Sequence, residues 1–142
     1  MRFDPKSNSI ARLAVNPVAK TATFTESTVI DMKGFRYARI LVILGAISGT
    51  TPDLDLVFSA GAASNGSDAV AITGAAIANL AAADANTVKQ GLIDLKKVGN
   101  RYLSIDGTVS GTTPSFLIGV VVELMDALDT ELFTQDTYAF SV

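Results

Sequence analysis

The 142-residue chain predicts an all-β protein, an antiparallel β-sandwich of jelly-roll type with about eight strands and extended terminal arms. Three observations predict it. The first is a repeat: Arg36-Tyr37 opens an apolar run that closes at Ser48-Gly49-Thr50-Thr51-Pro52, and Arg101-Tyr102 opens a second that closes at Ser110-Gly111-Thr112-Thr113-Pro114. An apolar strand follows each proline, so each copy reads as a strand, a Gly/Thr/Pro turn and a strand folding back, with proline at a strand start where its missing N–H does least harm. The second is strict alternation over residues 53–59, which points Leu54, Leu56 and Phe58 inward and Asp53 and Asp55 outward. The third is the recurrence of short Val- and Thr-rich runs between turn signals. The length fits one domain, divided into an arm (1–9), a sandwich (10–124) and a C-terminal arm (125–142).

Taken in order, residues 1–9 are polar and carry an early proline, and so read as an arm. Residues 11–15 and 22–30 are short extended runs suited to sheet edges, and Lys33-Gly34 turns the chain. The run 39–47 is apolar without a break after Arg39, as expected of a strand covered on both faces. Asn65-Gly66 is a turn and residues 69–73 a short strand. Thr73 could cap a short helix with Ile77, Leu80 and Ala81 on its inner face, although Gly74 and the small side chains suit an irregular loop equally. Residues 87–96 alternate, 97–100 turn, 101–109 extend, and 116–124 are apolar enough to be central. The expected core contains Leu41, Ile43, Leu54, Leu56, Phe58, Leu103, Ile105, Leu117 and Val121.

Composition removes most chemistry. Without Cys there is no disulfide, thiolate nucleophile or zinc-thiolate site, and without His the commonest general base and metal ligand are missing. No Trp is present to stack on a sugar. The longest apolar run, 40–47, is far short of the roughly 20 residues that span a bilayer, and the N-terminus has no apolar leader, so synthesis and assembly in a cytoplasm are expected. Basic residues are few and do not cluster with aromatics, which argues against nucleic acid. No catalytic residue, cofactor or metal is expected.

Charge is segregated along the chain. Residues 1–39 hold seven basic and three acidic groups, whereas beyond Arg101 there are six acidic groups and no basic one. Drift along a short chain accounts for this as well as docking of unlike ends across subunits or on a partner does. Asp53 and Asp55 share a strand face within reach of one cation, but a solvated face explains them better. Lys96-Lys97 reads as a hydrated turn. Arg36, Tyr37, Arg101 and Tyr102 stand at strand starts, either anchoring the sandwich rim or making intersubunit contacts. The tail still holds Leu132, Phe133, Tyr138 and Phe140, and the head holds Phe3, a content of large apolar groups unlike a disordered segment. These arms pack on a neighbouring subunit or shell, or fold back on their own sandwich.

Val29-Ile30-Asp31-Met32-Lys33-Gly34-Phe35 followed by an apolar strand, the turn Ser64-Asn65-Gly66-Ser67, the run 80–86 and Gly99-Asn100-Arg101-Tyr102-Leu103 occur in that order. Together they resemble the small head decoration, or cement, proteins of tailed bacteriophages, over roughly residues 27–122. The resemblance implies a β-sandwich on the outer surface of an assembled virion head, binding the major capsid protein and clamping capsomers, as a homo-oligomer (dimer or trimer), with no nucleic acid or membrane partner. A carbohydrate- or receptor-binding jelly-roll module of a phage tail or fibre is the alternative.

Overall fold

Two strands of unusual length organise the molecule. The computed structural model describes residues 9–26, 28–126 and 138–142. Its strands are β1 (Ser9–Lys20), β2 (Phe24–Thr25), β3 (Ile30–Asp31), β4 (Tyr37–Gly61), β5 (Val70–Leu80), β6 (Val88–Asp94), β7 (Tyr102–Met125) and β8 (Phe140–Ser141). A 3-10 turn at Ala82–Asp84 and a one-turn helix, α1 (Leu95–Val98), complete the described elements. The protein is all-β, as its sequence predicts.

β4 and β7 contain the two copies of the repeat, and they pair antiparallel with each other from Tyr37 opposite Met125 to Gly61 opposite Tyr102. Neither copy folds back on itself, which corrects the hairpin reading. Gly49 (φ +114°) and Thr51 (φ +48°) put a kink in β4, and Gly111 (φ +111°) and Thr113 (φ +47°) put the same kink in β7. The two kinks lie against each other around the Thr50–Thr112 pair, and the ladder shifts register on both sides. Contact there is close: a Cβ on Gly49 would lie 2.8 Å from the Thr113 carbonyl oxygen, and one on Gly111 2.5 Å from that of Thr51. The motif therefore bends a strand that continues, because each kink finds its backbone partners in the other copy.

The remaining strands follow a local twofold. β6 lies beside the first half of β4 and β3 beside the first half of β7. β1 lies beside the second half of β7 and β5 beside the second half of β4. One layer is thus β1, late β7, early β4, β6 and β8; the other is β5, late β4, early β7 and β2 with β3. Ile40, Val42, Leu44, Phe116, Ile118, Val120 and Val122 of the first layer share one core with Leu54, Leu56, Phe58, Leu103 and Ile105 of the second. Each such side chain, removed from water, contributes about 1.5–3 kcal/mol.

Four expected core residues are elsewhere. Leu41, Ile43, Leu117 and Val121 point away from the core, so the runs 39–47 and 116–124 are covered on one face only. The helix considered from Thr73 is strand β5. Gly74 (φ +83°) and Asn79 (φ +58°) interrupt its ladder, so the buried positions Ala75, Ile77 and Leu80 lose strict alternation and imitate helical spacing. The described end of the chain, residues 138–142, takes the second of its two expected courses and folds back on its own sandwich. Phe140 is buried in its own core, its ring 5.2 Å from that of Phe58, and β8 pairs parallel with β6. Gly91 makes room for it, since a Cβ there would meet the Phe140 ring at 2.3 Å.

Candidate interaction surface

Arg36, Tyr37, Arg101 and Tyr102 form two crossed clamps. Arg101 donates to both oxygens of Asp31 (2.8 and 2.6 Å), and its guanidinium lies 4.9 Å from the Tyr102 ring centre. Arg36 reaches both oxygens of Asp94 at 3.4 Å and stacks 5.0 Å from Tyr37. Each aspartate also accepts the backbone N–H two residues on, from Lys33 and Lys96. Between them Met32 N–H bonds the Arg101 carbonyl and Leu95 N–H that of Arg36. Gly34 (φ +89°) and Gly99 (φ +74°) end the two turns. The Arg101 hydrogen bonds hold the Asp31 carboxyl down at about 2, and Arg36 lowers Asp94 likewise.

The partners cross between the copies: the aspartate before the first Arg-Tyr binds the second arginine, and the reverse. Two stretches that carry the family resemblance, around Asp31 and around Arg101, therefore meet in space as one strand-end clamp. Phe3, Leu132 and Phe133 lie outside the described residues. Tyr138 is half-buried beside its own sheet, where Ala139 N–H bonds the Gln90 carbonyl.

An exposed apolar surface lies on the outer face of the first layer. Leu13 (47% exposed), Ile43 (48%) and Leu117 (44%) project there around half-buried Leu41 and Val121. Gly45 and Gly119 leave a hollow of about 210 Å³ among them, with Leu117 leaning over Gly45 and Pro17 over Gly119. Among the described residues, the charges nearest to these rows in register are Arg39 and Glu123, which oppose each other across the ladder at 3.9 Å. Contiguous apolar surface of this kind marks a binding site in soluble proteins. Its signal in the sequence was the absence of alternation in both long runs: a two-layer sandwich buries one face of each strand, so the other apolar face is left outside.

The corresponding face of the second layer is polar. Asp53, Asp55 and Val57 of β4 lie opposite Ser110, Thr108 and Asp106 of β7. Asp55 accepts the Asn79 N–H (2.8 Å) and Asp106 the Ser59 hydroxyl (3.4 Å). Among the described residues no three acidic groups converge as a metal site. A second groove, of about 410 Å³, runs between Val70–Thr73 and Lys97, Asn100 and Val142.

No family model matches the chain, and no curated protein matches it in sequence. Among solved structures it is similar to the SPBc2 prophage-derived protein YomS, with a TM-score of 0.49 and 15% identity, over 82% of this chain and 91% of that one.

Proposed function

We propose that this chain is a non-enzymatic structural protein of a phage virion, which decorates the outside of an assembled head and clamps neighbouring capsomers. The observation that carries the reading is the apolar outer face of β1, β4 and β7, a surface built for contact, set on a sheet whose strand ends are locked by crossed clamps. The ordered motifs that resemble those of head decoration proteins support a head-bound oligomer whose further partner is the major capsid protein. A protein that binds only the assembled lattice stabilises it by mass action, and an oligomer touching several capsomers raises the effective concentration for each further contact. Individually modest contacts then suffice.

The test is to add purified protein to heads assembled without it and measure the mass bound after sedimentation. Saturation at a uniform copy number over the head, unaffected by EDTA, is the expected result. Equal binding to unassembled capsid protein, or localisation to the tail, would refute it.

A further inference from the structure

We infer that the outer apolar face mates with the same face of a second copy, giving an isologous dimer. Four features point to a copy of this chain as the occupant. First, the apolar character is selective: the same pair of strands carries Asp53, Asp55 and Asp106 on its other half, a face that would repel a second copy of a chain with net charge −3. Second, the sheet edges discourage ladder extension. β1 carries Pro17 and two register shifts, β5 carries Gly74 and Asn79 at positive φ, and β8 is two residues long. Association must then be face to face, as sheets pack in sandwiches.

Third, the face holds both halves of its own complement. Leu13, Ile43 and Leu117 project, and the Gly45–Gly119 hollow recedes beside them. A twofold axis through the face sets the projections of each copy against the hollow of the other, which is what an isologous contact requires. Fourth, the centre is uncharged, and Arg39 and Glu123 at its margin already oppose each other within the chain. A like face can meet it with no unpaired charge buried. A face of a few side chains lies at the low end of specific interfaces, which bury about 1,200–2,000 Å², so the dimer should dissociate on dilution.

The inference deepens that reading by giving this face to the subunit contact of the oligomer, which leaves the shell to other surfaces of each copy. Full-length protein is examined by sedimentation equilibrium over a concentration series, with head binding read separately. A dimer that dissociates in the micromolar range is expected. Ile43→Asp should weaken it at least 100-fold, and Ile43→Ser, which disturbs the strand less, at least tenfold. Thr108→Asp, on the polar face, should leave it unchanged. A wild-type chain that stays monomeric at about 1 mM overturns the inference, as does an Ile43→Asp dimer of normal affinity. A monomer whose head binding is abolished by Ile43→Asp assigns the face to the shell, which sinks the dimer and spares the head assignment. A monomer that Ile43→Asp merely destabilises assigns it to the chain's own terminal segments, again against the dimer. A dimer that Ile43→Asp dissociates but that never binds heads upholds the inference and removes the head assignment.

Discussion

Asp31 and Asp94 hold equivalent strand ends, and their chemistry predicts the acid behaviour of the protein. Asp31 falls from 3.8 to about 2 on folding because Arg101 and the Lys33 N–H bind its charged form, and Asp94 shifts in the same direction through Arg36. A depressed carboxyl contributes its stability above the unfolded pKa and loses it as pH falls through the folded one. Stability should therefore decline between about pH 4 and pH 2, and Asp31→Asn should flatten that slope, as read from denaturant midpoints across pH. The kinks offer a second test. Gly111→Ala meets both a disfavoured φ and the Thr51 carbonyl at 2.5 Å, whereas at Gly34 nothing lies within 4 Å of a new Cβ. Gly34→Ala should cost about 1–2 kcal/mol, the left-handed penalty alone, and Gly111→Ala clearly more. Equal losses would mean that the crossing is looser than its contacts imply.

At the scale of elements, β8 shows how a two-residue strand can matter. Phe140 fills the space over Gly91 and touches Phe58, so Phe140→Ala removes a buried aromatic and should cost about 3–5 kcal/mol by chemical denaturation. Ending the chain at Asp126 should cost at least as much, since Val142 N–H and carbonyl also bond β6. What the sequence allowed to be read differed from strand to strand, for physical reasons. Residues 53–59 alternate, and Leu54, Leu56 and Phe58 are all buried as that pattern predicts. Residues 40–47 and 116–122 carry no polar side chain, so no pattern selected Ile40 over Leu41 or Ile118 over Leu117. That choice was made by register with β6 and β1. In β5 the interrupted ladder erased the period of two. The Arg-Tyr pairs were legible as strand starts, but their aspartates were not: Asp31 lies 70 residues from Arg101, and only the topology joins them. The contact face was hidden for the same reason as the core, because an unbroken apolar run does not say which of its sides stays in water.

For the whole molecule, the crossed pairing means that neither copy can fold by itself. Residues 9–61 hold β1 to β4, yet β1, β2 and β3 all pair with β7, and the second half of β4 pairs with β5 and β7. Residues 70–125 are in the same position, since β5 and β6 pair with β4. Each half alone would expose the apolar inner rows of a long strand with no partner, and both clamps would lose one member. Almost every pairing spans the chain's middle, so its loop closure precedes any reward and folding should be slow for the length, in the range of milliseconds to seconds. The turn at Asn65–Gly66 provides the test, because it joins the halves without contributing to the core. Residues 1–66 and 67–142, made separately, should each lack stable β-structure by circular dichroism and amide-exchange protection. Mixed at equal concentration, they should recover both, with a melting temperature that rises with concentration as for any bimolecular fold. A first half that folds alone would show that the strands of one copy can satisfy one another, and the interlocked account of this sandwich would be wrong.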